Sequence, residues 1–347
     1  MDALIHHLQA KEELSPYEVE LAADFLLDPS VGDEKKERLL EALSQKGETP
    51  AEIAGFVEAF LGHAVDPHLS LLDLAGPTLD VCGTGGDQLD LFNVSTTTMF
   101  VVAAAGPVVV KHGNRGITSK SGGADVLEAL GIRTDLPVDG FRRCIRKAGL
   151  GFMFAPHYHP AFREVANVRK NLAARGVRTI FNLIGPLLNP AKPQCQLVGV
   201  FTHDLCPGFA EILQRLGRQS AWVVHGTTSD GRSVDEVSLM GSTRISKSGI
   251  SQETTSEEVH PHDFGLEQAE VESLRGGDAN TNAAILEDIL SGRETGPKRD
   301  MILMNAGAAL ACAGLADTMG KGIDIAREMI TSGAAMERLR LLRKHAK

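Results

Sequence analysis

The sequence predicts an α/β protein in which a small N-terminal helical domain packs on a larger α/β domain with a mostly parallel central sheet. Helix-start signals and helical spacing of apolar residues occupy residues 1–70, with no strand pattern among them. From Gly76 onward, short apolar strands alternate with helical patterns, which is typical of a parallel sheet. The chain has 347 residues, 43% hydrophobic and 23% charged, so it is long enough for two domains.

The N-terminal segment contains two matching helix-start signals. Ser15 and Glu18 have the spacing of a capping box, with Pro16 at the first helical position. Thr49 and Glu52 repeat the same pattern before a second set of apolar residues at helical spacing. These signals predict helices that begin near residues 16 and 50.

The remainder of the chain reads as alternating strands and helices. The glycine at position 106 is placed to end the helix that precedes it. Residues 229–271 interrupt the alternation with short polar and β-prone pieces, and the chain is helical again from Thr281. The predicted elements before this interruption are strands at 78–82, 107–111, 196–201 and 221–224, and helices at 93–105 and 126–130.

Charge and cysteine content narrow the class of protein. The chain carries 35 Lys and Arg against 45 Asp and Glu, a net charge of −10, whereas a nucleic-acid-binding protein usually has a basic face. No apolar run approaches the roughly 20 residues that span a bilayer, and the N-terminus lacks the pattern of a signal peptide. The five cysteines form no Cys-x-x-Cys pair, which favours free thiols. We therefore expect a cytoplasmic enzyme that binds neither nucleic acid nor a membrane.

A glycine cluster follows the first strand, where α/β sheets bind their ligands. Residues 83–86 read Gly-Thr-Gly-Gly, and glycines let backbone amides approach a phosphate closely. The cluster lacks the Gly-Lys-[Ser/Thr] of a Walker loop, and Gln88 stands where the dinucleotide fingerprint requires glycine. Taken alone, the cluster is equally compatible with a tight structural turn.

Neighbouring segments favour a phosphate ligand. Residues 93–96 begin the next helix, whose free amides and dipole attract an anion. Residues 111–115, Lys-His-Gly-Asn-Arg, follow with two cations, and residues 119–123 add a turn rich in hydroxyls and glycine. Three successive strand ends thus offer amides, hydroxyls and positive charge, which predicts a ligand with several phosphates.

An acidic pair and two histidine pairs are candidate metal ligands. Asp235 and Glu236 lie in a polar loop, and near phosphates such a pair suits Mg²⁺, whereas alone it is typical of a solvated turn. No cysteine or acid cluster completes either histidine pair. We interpret as surface or supporting residues the pairs His157 with His159 and His260 with His262.

Longer strings of residues resemble the anthranilate phosphoribosyltransferases of tryptophan biosynthesis. The most specific are Gly-Thr-Gly-Gly-Asp at 83–87 and Lys-His-Gly-Asn-Arg at 111–115. Further matching strings extend over nearly the whole chain, at 47–50, 92–96, 121–125, 159–161, 178–187, 189–190, 225–226, 235–236, 276–278 and 305–310.

The resemblance implies both a fold and an activity. The fold is similar to that of nucleoside phosphorylases and phosphoribosyltransferases, with a helical domain at 1–74, joined by part of 160–188, and a catalytic domain at 75–347. The activity is transfer of the phosphoribosyl group of phosphoribosyl pyrophosphate to anthranilate, which releases pyrophosphate. The resemblance also implies Mg²⁺, two ions per subunit, and a homodimer formed through the helical domain.

The resemblance assigns ligands to individual positions, none of them as acid or base. To Mg²⁺ it assigns Ser95, Asp235 and Glu236, and to anthranilate Gly83, Asn114 and Arg169. To phosphoribosyl pyrophosphate it assigns Gly83, Gly86, Asp87, Leu91, Asn93, Val94, Ser95, Thr96, Lys111, His112, Gly113, Asn114, Arg115, Gly116, Ile117, Thr118, Ser119 and Gly123.

Three departures from the family pattern concern these assignments. Asn167, two residues before Arg169, stands where the family more usually has Pro or Ala. Leu91 stands where the family commonly has Thr, which removes a hydroxyl from the phosphate loop. Residues 172–176 extend the link after Arg169 by about three residues, so Arg175 or Arg178 are alternatives for the carboxylate of anthranilate.

Two other functions remain open on the same fold. A pyrimidine nucleoside phosphorylase would use inorganic phosphate, although residues 93–96 and 235–236 favour pyrophosphate with Mg²⁺. A non-catalytic nucleic-acid-binding relative would have a basic groove and no glycine-rich loop, whereas here the loop is intact and the net charge is −10.

Overall fold

The structure is a computed structural model that describes residues 2–116 and 120–347. The predicted Ile117, Thr118 and Ser119 of the phosphate site lie outside the described residues. The α-helices of the described residues are α1 (Asp2–Gln9), α2 (Pro16–Leu27), α3 (Asp33–Lys46), α4 (Pro50–Gly62), α5 (Val94–Ala105), α6 (Gly123–Ala129), α7 (Val138–Ala148), α8 (Ala155–Tyr158), α9 (Ala166–Ala174), α10 (Leu205–Arg215), α11 (Val271–Leu274), α12 (Ala279–Leu290), α13 (Pro297–Cys312), α14 (Met319–Thr331) and α15 (Ala334–His345). The strands are β1 (Thr78–Gly83), β2 (Val108–Gly113), β3 (Leu150–Phe154), β4 (Cys195–Gly199), β5 (Ser220–Thr227), β6 (Ser233–Val234), β7 (Thr243–Gly249) and β8 (Gln252–Val259).

Both predicted capping boxes are confirmed. The backbone N–H of Ser15 donates to Glu18 Oε2 at 2.9 Å, and the backbone N–H of Thr49 donates to Glu52 Oε2 at 2.9 Å. In each box the hydroxyl of the first residue accepts the backbone N–H of the glutamate. The two orphan donors at each helix start are thereby satisfied, so α2 and α4 begin where the sequence indicates.

A later segment packs on the N-terminal helices. Leu172 of α9 and Phe181 share a buried core with Phe60 of α4, and the rings of Phe60 and Phe181 stack with centroids 5.5 Å apart. Segment 160–188 thus contributes apolar surface to the helical region. The division of the chain into domains at 1–74 and 75–347 stays a prediction.

The strands form one mixed sheet in the order β3-β2-β1-β4-β5-β7-β8, with β6 beside β5. The five strands from β3 to β5 run parallel, whereas β6, β7 and β8 are antiparallel and fill the region 229–271 that interrupted the predicted alternation. The predicted fold class, a helical domain with a mostly parallel α/β domain, is confirmed.

The position of β1 in the sheet determines where a ligand can bind. Leu79 of β1 pairs with Val109 of β2 on one side and with Cys195 of β4 on the other. Chain connections therefore leave β1 in opposite directions, and such a switch point opens a crevice beyond the carboxyl ends of the strands. The glycine cluster follows β1 and lies at that crevice.

All five cysteines lie among the described residues, and each is a buried free thiol. Burial raises the pKa of the Cys206 thiol to about 12, so it stays protonated and unreactive at neutral pH. The prediction of free thiols is confirmed. Among the described residues, no helix combines the length and apolar character needed to cross a membrane.

Candidate active site

The loop after β1 has an unusual backbone. Gly85 and Gly86 have φ angles of +72° and +102°, and Gln88 and Asp90 also have positive φ, at +57° and +53°. Residues other than glycine rarely adopt such backbone angles, and these angles persist only where the surrounding structure holds them. The backbone shape of this loop therefore suits glycine at positions 85 and 86 and depends on the contacts around it.

The loop after β1 is joined to the acidic loop that is 150 residues away in sequence. The backbone N–H of Gly85 donates to Asp235 Oδ2 at 2.6 Å. A Cβ atom at Gly83 would lie 2.5 Å from the same oxygen, so no side chain fits there. Gly199, at the end of β4, has no room for a Cβ either, because the backbone of Asp235 crosses it. The structure therefore brings together Gly83, the glycine loop and the predicted metal ligand Asp235.

Three carboxyl groups meet at this place without full compensation. Burial and the neighbouring charge of Asp87 raise the pKa of Asp235 to about 7. Burial and the charge of Asp235 also raise the pKa of Glu236 well above its usual value, and burial raises that of Asp87. Like charges in a partly desolvated site disfavour ionisation, and a bound cation would reverse this effect. The electrostatics of the acidic residues therefore fit a divalent cation.

The donor set fits Mg²⁺ better than a metal held by protein alone. Within residues 2–116 and 120–347, no group of three or more His, Cys, Asp or Glu side chains has the arrangement of a metal site. Mg²⁺ usually takes one or two carboxylates and fills its other positions with water and substrate phosphates. Ser95 lies near the acids, since its backbone N–H acts to lower the pKa of Glu236 against the larger effect of burial.

The N-terminus of α5 adds donors to the same place. Val94 and Ser95 form its first turn, and the side chain of the preceding Asn93 makes no capping hydrogen bond to it. The Val94 N–H donates to the carbonyl oxygen of Phe92 at 2.7 Å, whereas no side-chain cap engages the amides of Ser95 and Thr96, which are therefore available to an anion. Thr96 is 2% exposed and packs against Gly123, where a Cβ would lie 2.9 Å from the Thr96 hydroxyl oxygen. The predicted residues 93–96 and Gly123 are thus adjacent.

Lys111 is a buried cation between two of these elements. Its side chain is 4% exposed, and Nζ donates to the carbonyl oxygen of Val81 at 2.6 Å and to Ser95 Oγ at 3.1 Å. The charge of Lys111 also acts to lower the pKa of Glu236 against the larger effect of burial. Lys111, which belongs to β2, thus joins that strand to β1 and to the start of α5 through its hydrogen bonds.

His112 lies behind the site, next to a histidine that the sequence did not connect with it. The rings of His112 and His159 meet edge to face with centroids 5.2 Å apart, and both are buried. Burial lowers the pKa of His112 to about 3, so it is neutral at physiological pH. His159 is thus a supporting residue rather than a surface one, whereas His260 is half-buried and His262 is exposed.

The residues after β2 form a tight turn. The backbone N–H of Gly116 donates to Asp125 Oδ2 at 2.9 Å, and Asn114 accepts the backbone N–H of Ala124 through its carbonyl oxygen at 3.2 Å. Arg115 pairs with Glu128 at 2.9 Å. Gly113 ends β2 directly before this turn. Asn114 therefore lies near the phosphate elements, while the guanidinium of Arg115 is engaged by α6.

Three arginines are candidates for the cation that is predicted to bind the carboxylate of anthranilate. Arg169 of α9 is partly buried, which lowers its pKa, and its guanidinium lies 5.2 Å from the ring centre of Phe181. Arg175 forms ion pairs with Glu37 and Glu41 of α3. The extension after Leu172 therefore carries Arg175 towards the N-terminal helices. The exposed Arg178 lies over Phe201, whose side chain also approaches Gly86.

Two buried asparagines support the site although the sequence reasoning assigned them no role. Asn305 of α13 is 1% exposed, and its amide bonds both the N–H and the carbonyl of Val237, at 2.9 and 2.8 Å. It therefore holds the backbone directly after Asp235 and Glu236. Asn282 of α12 bonds Asn93 and Ser121. Neither could be identified from sequence, because their partners are 68 to 189 residues away.

Leu91 is bound through its backbone. It forms an isolated antiparallel bridge with Arg275, and its partly buried side chain packs against the main core. The hydroxyl that Thr commonly supplies at this position is therefore replaced by apolar contact. Its assignment to the substrate stays a prediction, as do the other assignments of substrate-binding residues.

Replacing Gly86 with Val is expected to raise the KM for phosphoribosyl pyrophosphate at least tenfold. A φ of +102° is strained for a β-branched residue, and the loop would shift the amides that face the ligand. Steady-state kinetics with each substrate varied in turn checks this. Gly314→Val is the matched control. Gly314 lies between α13 and α14, and like Gly86 it has a positive φ, but a side chain there would meet open space. An effect on the KM for anthranilate alone would mean that the two subsites are reversed.

Family models cover most of the chain. Residues 2–64 match the helical bundle domain of a glycosyl transferase family, and residues 75–336 match the a/b domain of the same family. Fold and family models thus define a glycosyl transferase with a helical domain, an α/β domain and a crevice at the carboxyl ends of its parallel strands.

Comparison with related proteins identifies the family within this class of glycosyl transferases. Anthranilate phosphoribosyltransferase of Chloroflexus aggregans is 43% identical over 330 residues, which cover 95% of this chain and 94% of that protein. The crystal structure of the Thermus thermophilus enzyme superposes with a TM-score of 0.89 at 37% identity, over 100% of this chain and 99% of that one. This chain belongs to the anthranilate phosphoribosyltransferase family.

A more distant relative has been solved with ligands. The anthranilate phosphoribosyltransferase of Saccharomyces cerevisiae, in complex with phosphoribosyl pyrophosphate and Mg, has a TM-score of 0.84 at 27% identity and covers 99% of this chain and 98% of its own. The yeast enzyme has also been solved with 4-fluoroanthranilate. The resemblance stated from sequence and the prediction of a phosphoribosyltransferase enzyme are confirmed. All of these relatives are anthranilate phosphoribosyltransferases, so they give no support to either of the two other functions.

Proposed function

We propose that this chain transfers the 5-phosphoribosyl group of phosphoribosyl pyrophosphate to the amine of anthranilate, giving N-(5-phosphoribosyl)anthranilate and pyrophosphate. The observation that carries the proposal is the meeting of three elements at one sheet edge: the loop at 83–87, the start of α5, and the acidic loop at 235–236. Open amides, a buried lysine and carboxylates at one place suit a pyrophosphate that binds with a cation.

The proposed mechanism is electrostatic and positional. As the bond from the anomeric carbon to pyrophosphate breaks, negative charge grows on the leaving group and positive charge on the ribose. The amides of the glycine loop and of α5, together with Lys111, are placed to stabilise the first of these charges. Bound Mg²⁺ would shield the negative charge of the pyrophosphate. Its proposed ligands are Ser95, Asp235 and Glu236, and the proposed number is two ions per subunit.

The acceptor side requires orientation rather than a base. The amine of anthranilate attacks through its neutral lone pair, so no proton has to be removed before the bond forms. Arg169, Asn114 and Gly83 are the proposed contacts of anthranilate, and a planar guanidinium can meet its carboxylate with two parallel hydrogen bonds. Holding both substrates in line converts the encounter into an effectively unimolecular step.

A fluorescence assay tests the reaction. Anthranilate fluorescence should fall with time only when the enzyme, phosphoribosyl pyrophosphate and Mg²⁺ are all present. Leaving out each component in turn is the control. An enzyme that leaves anthranilate unchanged but cleaves uridine or thymidine with inorganic phosphate would instead be a nucleoside phosphorylase. A salt-dependent gel shift with single-stranded DNA, without turnover, would favour the nucleic-acid-binding alternative.

Replacing Arg169 with Ala is expected to raise the KM for anthranilate at least tenfold. This corresponds to about 1.4 kcal/mol or more of lost binding, because the carboxylate would lose its charged partner. The KM for phosphoribosyl pyrophosphate should change much less. Steady-state kinetics with each substrate varied separately checks the prediction.

Arg175→Ala and Arg178→Ala are the matched comparisons. Arg175 is paired with Glu37 and Glu41, so its loss should leave the KM for anthranilate within about twofold. Arg178 lies over Phe201 and is exposed, so it remains a test of the alternative acceptor. If Arg175→Ala or Arg178→Ala weakens anthranilate binding and Arg169→Ala does not, Arg169 is not the residue that binds the carboxylate of anthranilate.

A homodimer through the helical domain is part of the same proposal. Tyr17, in the first turn of α2, is 72% exposed, and it is a large apolar side chain on the face that a second copy could cover. Light scattering after size-exclusion chromatography should give twice the mass of one chain. A monomer at micromolar concentration would contradict the proposal.

A cytoplasmic location is likewise proposed. It is supported by the five buried free thiols, a state that a reducing compartment maintains. Localisation of a fluorescently tagged chain would test it, and a secreted or membrane-bound product would contradict it.

A further inference from the structure

Asn282 lies at the junction of three segments that are far apart in sequence. It stands in the first turn of α12, is 4% exposed, and contacts Asn93, Ser121 and Gly277. The fit is close, because a Cβ at Gly276 would lie 2.5 Å from Asn282 Oδ1. The amide of Asn282 therefore occupies a defined position directly behind the start of α5.

The hydrogen bonds of Asn282 have only one consistent direction. The backbone N–H of Gly277 can only donate, and it donates to Asn282 Oδ1 at 2.8 Å. Nδ2 of Asn282 is then the donor, and it donates to Asn93 Oδ1 at 2.7 Å and to Ser121 Oγ at 2.9 Å, with a longer contact of 3.3 Å to the carbonyl oxygen of Gly277. One backbone donor thus orients the Asn282 amide, and through it the amide of Asn93.

The orientation of Asn93 is itself unusual. Asparagine at the residue before a helix normally accepts an N–H of the first turn through its side-chain oxygen. Here Asn93 Oδ1 instead accepts from Asn282 and from Ser121 Oγ at 3.2 Å, and Asn93 makes no side-chain cap to α5. The amides of α5 that a cap would consume are therefore left for another acceptor.

We propose that Asn282 is a positioning residue for phosphoribosyl pyrophosphate, a role that rests on the function proposed above. It holds the Asn93 side chain away from α5 and so keeps the amides of Ser95 and Thr96, which a cap would engage, open to the anionic ligand. Asn93 Nδ2 also donates to the carbonyl oxygen of Ser121 at 3.2 Å, but the shorter bond is the one from Asn282. Without Asn282, only Ser121 holds Asn93, which can then turn and cap its own helix. The helix would remain stable, but the donors for the phosphate would be occupied.

Calorimetric titration with inorganic pyrophosphate in the presence of Mg²⁺ tests this role without relying on turnover. Asn282→Ala is expected to weaken pyrophosphate binding at least tenfold and to raise the KM for phosphoribosyl pyrophosphate by a similar factor, with the KM for anthranilate within twofold. Asn280→Ala is the matched control, because Asn280 is exposed on the same turn of α12. It should bind pyrophosphate as the parent does.

A double variant separates positioning from general packing. If Asn282 acts through Asn93, then adding Asn282→Ala to Asn93→Ala should change pyrophosphate affinity less than twofold further, because no side chain remains to cap α5. Additive effects, or an Asn282→Ala variant with normal pyrophosphate affinity, would overturn the inference. If Asn282→Ala does not fold, Asn282→Asp keeps the bond from Gly277 and replaces the donor with an acceptor oxygen and a negative charge, and Asn280→Asp is the control for the added charge.

The outcomes distinguish this inference from the proposed function. A parent protein that binds pyrophosphate but does not consume anthranilate would contradict the reaction, while the comparison of Asn282 with Asn280 would still decide the positioning role. A parent protein that does not bind pyrophosphate would contradict both.

Discussion

Replacing Asp235 with Asn and Glu236 with Gln together is expected to lower kcat at least about 100-fold, equivalent to about 2.7 kcal/mol of transition-state stabilisation. The two carboxylates are the proposed protein ligands for the cation that shields the leaving pyrophosphate, and amides cannot replace their charge. The measurement is kcat at saturating substrates across a titration of Mg²⁺.

The same double variant is expected to keep or raise thermal stability. In the protein alone, burial and mutual repulsion raise the pKa values of Asp235 and Glu236, so ionising them opposes folding at neutral pH. Glu257→Gln with Glu258→Gln is the matched control, because it removes two charges from the exposed strand β8. Near-normal kcat at saturating Mg²⁺ in the site variant would show that these acids do not hold the metal. A large fall in its Tm would mean that lost activity reflects unfolding.

Replacing Lys46 with Met is expected to reduce the free energy of unfolding by about 3–5 kcal/mol, the usual effect of leaving one member of a buried ion pair alone. Lys46 Nζ lies 2.7 Å from Glu52 Oε2, and the two side chains are 4% and 2% exposed. Glu52 also accepts the backbone N–H groups of Leu14 and Thr49, both at 2.9 Å. The carboxylate therefore joins the end of α3, the start of α4 and the segment before α2. Chemical denaturation followed by circular dichroism measures the change.

The pH dependence of this effect has a definite sign. Burial alone would raise the pKa of Glu52, but the hydrogen bonds from Lys46, Thr49 and Leu14 hold it below its usual value. A lowered pKa stabilises the fold above the unfolded pKa of about 4.3, and that stability is lost as the pH falls through the folded pKa. In Lys46→Met the carboxylate is buried without its cation and is protonated at higher pH. As the pH falls, the stability difference between the two proteins should therefore begin to shrink when the variant's carboxyl takes up its proton, and it should shrink further below about pH 4.3 as the parent loses its own stabilisation.

An exposed ion pair provides the control for Lys46. Arg215 and Glu211, both on α10, are 50% and 44% exposed and lie 2.8 Å apart. Arg215→Met should change the free energy of unfolding by no more than about 1 kcal/mol. If Lys46→Met were as mild as this control, the charge of Glu52 would have to be solvated in the folded protein.

Local signals were sufficient for the secondary structure around the site. The capping boxes at Ser15 and Thr49, the strand that runs into Gly83 and the helix that Gly106 ends each depend on neighbours within a few residues. Such interactions join residues that are close together in the sequence, so the residue types and their spacing predict them directly. The phosphate loops were identified from residue types that suit anions and from their resemblance to a family.

Only the tertiary structure decided which distant residues meet. Asp235 was a candidate by residue type, but its bond with the Gly85 amide depends on β4 lying between β1 and β5. Likewise, Asn282 and Asn305 are ordinary helical asparagines in the sequence and become supports only because α12 and α13 pack behind the loops. The sequence by itself determined the fold class, the family and the chemistry of the loops. The tertiary structure decided the pairing of charges and the direction of the hydrogen bonds, because these depend on packing across up to 189 residues of intervening chain.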